Sequence, residues 1–496
     1  MIGKVNIKKL SRRLLGGVGA LGVGMFGATV AFADDSGDIH SLQSEVQDLQ
    51  NKVQTLEDQG RQGAGADPGP ELNAGPLKIT IGGFTELAAI YRNRNEASDM
   101  LTSFTGIPFA NSPEYRLDEF RESARQSRLS ILTQGPKVDG AQGEAYFETD
   151  FLGAAQTANS KQSNSYNLRM RQIYADYTTD RGLQILAGQA WSLLTLDKKG
   201  ISPRAEVIPL TIDASYVPGF NYTRNPQIRV VQKFGNTVAV GLSAEGPQAI
   251  VSGTAPDGVV YNDAAGGGFN SANTYTTDPL PDFILKVAAD PGFGHYELYG
   301  LNRTFRDSIN GRNSSVSTMG VGGSALLPIV PGKLDVQLSA LTGDGIGRYG
   351  ASQLPDYTFS ATGHIKPIDE TTALLGVIGH PSDALTLYGY AGTEMSTVTA
   401  ASSVGSTLYG YGNSGLNDSG CATFGGTCKA QAKSVTQFTI GGWWKFYRGQ
   451  VGNMQLGLQA SRTKLEAFSA VDDGGRAPST SMNVVMASFR YYPYQN

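Results

Sequence analysis

From Leu77 to the end of the chain, apolar and polar residues alternate with a period of two. Ile79 and Ile81 alternate with Lys78, Thr80 and Gly82. Val238, Val240 and Leu242 alternate with Thr237, Ala239, Gly241 and Ser243. Leu334, Val336 and Leu338 alternate with Asp335, Gln337 and Ser339, and Leu456, Leu458 and Ala460 with Gln455, Gly457 and Gln459. A period of two predicts strands with two unlike faces. A soluble sandwich also alternates, but its outer faces are heavily charged. Here the polar faces carry Gly, Ser, Thr and Gln with scattered Arg and Glu. That suits a water-filled lumen with the apolar face toward lipid.

The segments number sixteen, near 77–92, 122–134, 141–152, 166–178, 183–191, 226–234, 237–245, 282–289, 294–305, 316–328, 333–342, 371–379, 384–394, 435–446, 453–464 and 482–492. Short connections (179–182, 235–236, 291–292, 330–332, 380–383) alternate with long ones (93–121, 192–225, 246–281, 343–370, 395–434). Short periplasmic turns and long external loops are the plan of an outer-membrane barrel. The predicted fold is an all-β transmembrane barrel of about sixteen antiparallel strands over residues 77–496. Tyr91, Trp191, Tyr222, Tyr388, Tyr390, Trp443, Trp444, Tyr447, Tyr491, Tyr492 and Tyr494 fall near strand ends, where girdles of rings at head-group depth are expected.

Upstream the period changes. Ile39, Leu42, Val46, Leu49, Val53 and Leu56 follow 3-4-3-4-3 spacing with polar residues between them. This a/d seam of about three heptads predicts a self-associating helix over 34–59. β-branched residues at a with Leu at d favour two strands. Residues 60–76, rich in Gly, Pro and Ala, read as a flexible linker. Ahead of the seam, Lys4, Lys8, Lys9, Arg12 and Arg13 precede an uncharged stretch over 14–30 and an Ala31-Phe32-Ala33 cleavage site. Residues 1–33 therefore read as a signal peptide, with the coiled coil in the periplasm and the barrel in the outer membrane of a Gram-negative cell.

Composition narrows the picture. Past residue 33 there is no apolar run of 18 or more residues, which argues against transmembrane helices. Charged residues make up 17%, against about 25% in soluble domains. Removing the five positive charges of residues 1–33 takes the formal net charge from −4 to −9, which argues against nucleic-acid binding, since that wants a basic face. Cys421 and Cys428 lie in a Gly/Ser/Thr-rich segment, and in an oxidising compartment they are expected to pair. A metal site is the alternative, but no His lies near and two thiols do not fill a zinc shell.

A charged side chain facing lipid near the midplane costs about 2–4 kcal/mol, so strand cations should point inward. By phase these are Arg128 (against Leu129 and Ile131), Arg169 and Arg171 (against Leu168 and Met170) and Arg229 (against Ile228 and Val230). The connection 192–225, the third external loop, adds Lys198, Lys199 and Arg204. Cations in a narrow aqueous pore concentrate anions. The alternative is that they pair with lumen acids such as Glu144, Glu148 or Glu297, leaving size exclusion with little selectivity.

Gly345-Ile346-Gly347-Arg348-Tyr349-Gly350 matches a dinucleotide fingerprint, but no helical pattern follows, so it reads as loop. His40, His295, His364 and His380 lie in separate segments, and none is marked as a base beside a nucleophile, so no enzyme, cofactor or metal is predicted. A plugged barrel with a structural or adhesive role is the rival class.

The chain resembles the trimeric porins of the DcaP-like group, in which a coiled coil precedes a sixteen-stranded barrel. The stretches that carry the resemblance are Arg125-Gln126-Ser127-Arg128-Leu129, Leu186-Ala187-Gly188-Gln189-Ala190-Trp191-Ser192, Arg224-Asn225-Pro226-Gln227-Ile228-Arg229 and Gly343-Asp344-Gly345-Ile346-Gly347-Arg348-Tyr349-Gly350. The resemblance implies a homotrimer in contact with outer-membrane lipid and lipopolysaccharide. It also implies diffusion without energy input and a lean toward small anionic solutes such as dicarboxylates. The third loop is implied to fold into the lumen. The implied trimer stands against the two-stranded preference of the seam.

Overall fold

The computed structural model describes residues 70–153, 167–262, 273–470 and 477–494. The signal peptide, the coiled coil and most of the linker lie outside the described residues. Sixteen strands form one antiparallel sheet that closes on itself. They are β1 (Leu77–Arg92), β2 (in two pieces, Glu119–Ser123 and Arg128–Gln134), β3 (Ala141–Gly153), β4 (Asn167–Thr179), β5 (Leu183–Trp191), β6 (Arg224–Phe234), β7 (Val238–Glu245) and β8 (Asp282–Ala289). The second half comprises β9 (His295–Ile309), β10 (Arg312–Val330), β11 (Leu334–Asp344), β12 (Asp369–Ser382), β13 (Leu385–Ser396), β14 (Ala432–Gly449), β15 (Gly452–Ala467) and β16 (Ser479–Tyr492). Closure is made by β1 against β16, with Thr85 opposite Tyr491 and Arg92 opposite Val484. A closed ring leaves no strand edge with unpaired backbone groups, the condition for β-structure in lipid.

One end carries the short turns and the other the long loops, with one exception. The connection from β9 to β10 is only Asn310-Gly311. Both residues have positive φ, 49° and 78°, as a two-residue hairpin turn requires. The Asn-Gly pair is a strong hairpin signal, and β9 and β10 extend past the ends drawn from alternation alone. β2 also departs from expectation. It breaks at 124–127, where the Ser127 hydroxyl accepts the Glu86 N–H at 2.9 Å and replaces a lost ladder partner. Glu71–Ala74, inside the stretch read as linker, pairs with Leu77–Thr80.

The outer wall is apolar as predicted. Leu168, Ile228, Leu242, Leu298, Phe438, Leu458 and Val485 are all exposed on it. The inside differs from a simple water-filled lumen, because two apolar cores lie within the barrel. In one, Leu193, Leu194 and Ile201 of the third loop (192–223) and Ile346 and Tyr349 of the sixth loop (345–368) pack on Val231, Ile284, Leu301 and Leu341 of the wall. In the other, Met100, Phe104 and Ile107 of the first loop (93–118) and Ile212, Tyr216 and Phe220 of the third meet Tyr388, Tyr390, Trp443, Met482 and Met486. Trp191, Tyr388, Tyr390 and Trp443, expected in the girdles, are therefore buried inside. They face inward loops rather than head groups. Tyr91, Trp444 and Tyr447 do face out.

Cys421 and Cys428 are disulfide-bonded in the seventh loop (397–431). Their loop holds the first: Asn111 N–H donates to the Cys421 carbonyl at 3.0 Å, and the Asn111 carbonyl accepts from Gly425 N–H at 2.8 Å.

Gly311 has open space where a Cβ would stand, so replacing it probes backbone conformation alone. Gly311→Val should cost about 1–2 kcal/mol, the usual penalty for a side chain in the left-handed region. Denaturant unfolding in detergent micelles would read this as a lower midpoint with an unchanged slope.

Candidate functional site

The third loop leaves β5, runs deep along the β5–β9 wall, crosses the lumen, and returns to β6. Buried polar groups hold it at each stage. At its start, Leu193 N–H and the Ser192 hydroxyl donate to Glu245 Oε1 at 2.8 and 3.1 Å. Further down, Lys286 Nζ is fully buried between Asp197 Oδ2 (3.1 Å), Glu297 Oε1 (2.9 Å) and the Thr195 carbonyl (2.6 Å). His295 bridges Glu297 and Asp290 through its two ring nitrogens at 3.0 and 2.9 Å. Asp290 then accepts the Gly200 N–H at 2.9 Å.

On the far wall, Ile212 N–H donates to Gln459 Oε1 at 2.6 Å, and Leu210 is held by Tyr390 and Trp443. Gly219 N–H donates to Glu394 Oε1 at 2.7 Å. Here backbone meets backbone. Gly219 has φ +86°, and a Cβ on it would stand 2.0 Å from the Ala373 carbonyl oxygen, so only glycine fits.

With apolar cores filling the β6–β16 side, the water-exposed mid-barrel charges lie along β1–β4, the tail of β16 and the third loop. Side-chain exposure is 29% at Arg128, 24% at Arg169, 29% at Arg204 and 16% at Arg490. By contrast it is 0% at Lys286 and 1% at Arg303 on the opposite arc. The inward charge that reaches water thus lies toward the first four strands and the third loop.

These cations stand at successive levels. Deepest is Arg204, bonded to Glu144 Oε2 (2.7 Å) and the Tyr174 hydroxyl (2.9 Å). Four residues further along β3, about 13 Å of strand, Glu148 takes Arg171 Nε at 2.5 Å and lies 3.6 Å from Arg128. One more inward step brings Asp150, which accepts Arg169 at 2.7 Å and Arg171 at 3.0 Å. Arg171 sits at a β-bulge, since Glu148 opposes Gln172 and Thr149 opposes Met170. The extra residue lets Arg171 and Gln172 both point inward. Tyr216 of the third loop approaches Arg171, its hydroxyl 3.5 Å from Nη2.

Arg224 completes this cluster. It stacks on Trp191 (4.5 Å to the ring centre) and Tyr222 (5.8 Å), beside Arg169 and Arg171. Among the described residues it makes no ion pair, and its Nη1 has no hydrogen-bond partner. Four guanidiniums (Arg128, Arg169, Arg171, Arg224) therefore share two carboxylates, Glu148 and Asp150.

Of the residues singled out by phase, Arg128, Arg169 and Arg171 meet in one place. Arg204 lines the pore below them. Lys199 is exposed and Lys198 half-buried at the deep end of the third loop, away from the cluster. Arg229 faces inward but is sealed at 2% exposure, donating to Gln227 Oε1 at 3.0 Å and to the Trp191 carbonyl. It ties β6 to the end of β5 and is shut off from water. Phase reasoning missed Arg224. It shares the phase of the outward Pro226 and Ile228, but the alternation lapses at the external ends of β5 and β6, where Ala190 and Trp191 are both buried. At the deep end, burial raises the carboxyls of Asp197 and Glu206 to about 6 and about 7, and lowers the Lys198 amine.

A closed sixteen-stranded barrel whose third loop narrows an arginine-lined lumen has the architecture of a porin. No protein-family model matches the chain, and no curated protein matches it in sequence. The solved structure of the outer membrane channel DcaP of Acinetobacter baumannii superposes with a TM-score of 0.60 at 18% identity, covering 86% of this chain and 100% of that one. OmpF of Salmonella typhi and an anion-selective porin from Comamonas acidovorans superpose with TM-scores of 0.45 and 0.44 at 9% and 10% identity. They cover 85% and 84% of this chain and 100% and 99% of their own. The chain has the porin-type channel fold, shared with DcaP.

Replacing Lys286 with Met would leave Asp197 buried without its ion-pair partner and Glu297 with only His295 beside it. That should destabilise by about 3–5 kcal/mol and release the deep arm of the third loop. Thermal unfolding should show the loss, and single-channel recording a larger, noisier conductance.

Proposed function

We propose that this protein is a passive outer-membrane porin for small hydrophilic solutes, with a preference for anions such as dicarboxylates, and that it is not an enzyme. The observation that carries the reading is Arg224, a cation at the constriction with no acid partner, beside three arginines that share two carboxylates. Fixed charge in a narrow pore with low-dielectric walls is weakly screened and raises the local anion concentration. Paired arginines such as Arg204 with Glu144 shape the path and add little net field. We further propose that residues 1–33 are removed on export, that residues 34–59 form a periplasmic coiled coil, and that the channel is a homotrimer. His295 does not support hydrolysis. His295 is occupied by carboxylates on both ring nitrogens, which leaves no free nitrogen to take a proton from a nucleophile.

Single-channel recording across a salt gradient tests this. Wild type should close in three steps with a reversal potential of the anion-selective sign. Arg224→Gln with Arg169→Gln should lower the anion-to-cation permeability ratio roughly two- to ten-fold. An unchanged ratio would mean that the pore sorts by size alone, and absent conductance would point to a plugged barrel.

Acid should strengthen the preference. Asp197 and Glu206 titrate above the ordinary carboxyl range, so they lose charge as pH falls through about 7 to 6. Because their folded pKa values are raised, the stability they contribute is full below about pH 4 and is lost as pH rises through that window. The reversal potential should shift toward anions between pH 8 and pH 5. Asp197→Asn with Glu206→Gln should reduce the shift; a full shift in that variant would assign it to other groups.

A further inference from the structure

The outer wall changes character along β14–β16. Outward positions are apolar at Ile440 on β14, Leu458 on β15 and Val485 on β16. The next rungs toward the long-loop end are polar. Arg462, exposed, lies between its cross-strand partners Phe438 and Asn483. Lys464 follows, between Thr436 and Ser481, and is ion-paired with Glu466. Lys433, also exposed, acts on the same carboxylate. Two cations thus act on one acid, and Arg462, one outward step from Lys464, makes no ion pair among the described residues.

The level of this rung follows from energetics. An outward arginine costs about 2–4 kcal/mol at the bilayer midplane and about 0–1 near the interface. Arg462 therefore marks head-group depth, in the leaflet at the long-loop end. The patch is local rather than a charged rim. At the same end of β11 and β12 the exposed outward residues are Asp344 and Asp369, directly opposite each other.

We infer that Arg462, Lys464 and Lys433 bind the phosphate of an outer-leaflet lipid, with its acyl chains lying along the apolar rungs beneath. A guanidinium presents two parallel N–H groups that match phosphate oxygens, and the ammonium groups add charge. A free phosphate has the same charge but no use for Phe438 beside Arg462 or for Ile440 and Leu458 below. The inference rests on the outer-membrane reading but not on the pore's selectivity.

The test uses the full-length mature protein in a neutral detergent, with diphosphoryl lipid A as probe. Lipid A should raise the unfolding temperature of wild type, and Arg462→Gln with Lys464→Gln should lose at least half of that rise. Asp369→Asn should keep all of it, and inorganic phosphate should give none. Lys433→Gln, on a bulged strand end, provides a second variant should the double one fold poorly. Single-channel conductance of the double variant should equal wild type, so a failed pore reading shows in that trace and not in the lipid response. An equal response in variant and wild type, or none in wild type, overturns the site. A full response to inorganic phosphate overturns the lipid and leaves a free-anion site.

Discussion

The inside of this barrel depends on one buried cation. Lys286 Nζ has no exposure, and it joins two carboxylates and a carbonyl from two different parts of the chain. Each ion would be costly there alone, and each is tolerable only because the others are present. Asp197 belongs to the third loop and Glu297 to the wall, so the triad forms only when the loop is seated. That condition fixes more than one contact. Once the deep arm is down, Leu193, Leu194 and Ile201 meet the β6–β11 wall and exclude water from that arc. The crossing arm then reaches Gln459, Tyr390 and Glu394 on the far side. Partly exposed inward charge then remains along β1–β4, the tail of β16 and the third loop, which is where we place the pore.

The same pairing chemistry serves two ends at the constriction. Glu148 and Asp150 hold Arg171 and Arg169 rigid, which keeps the guanidiniums from collapsing across the pore. Complete pairing would cancel their field. Arg224 is stabilised differently, by stacking on Trp191 and Tyr222, so it adds charge without an acid. Rigidity comes from the paired arginines and net charge from the unpaired one. A reading that counts lumen arginines without asking what each one touches cannot tell these roles apart.

Much of the wall was legible in the sequence. Alternation placed Leu168 and Ile228 outside and Arg128 and Arg169 inside, because a strand has only two faces and lipid accepts one kind of residue. Strand number followed from alternation together with loop sorting. Legibility ended where a residue's neighbour comes from elsewhere in the chain. Ile378, Met482 and Met486 are as apolar as outward residues, and only the inward loops explain them. Trp443 and Trp444 are adjacent and identical in type, yet one supports Leu210 and the other faces out. Arg171 passed for a plain alternating residue, because a bulge leaves no mark in composition. The Asn310-Gly311 turn is written in turn chemistry, two residues that accept positive φ, and alternation alone does not register it.

The outward cations of β15 extend this contrast between wall and interior. Inside the barrel, charge is tolerated because loops and opposite charges surround it. On the outer wall Arg462 is exposed and makes no ion pair among the described residues, and Lys464 is paired with Glu466. An uncovered guanidinium next to an apolar belt stays solvated only if the membrane presents polar groups at that height. The height of Arg462 is therefore a constraint on how the barrel sits in its bilayer, independent of the pore. Gly219 and Arg462 answer the same physical question in opposite ways. The first brings backbone so close that no side chain fits, while the second extends a long side chain to where anionic partners are found.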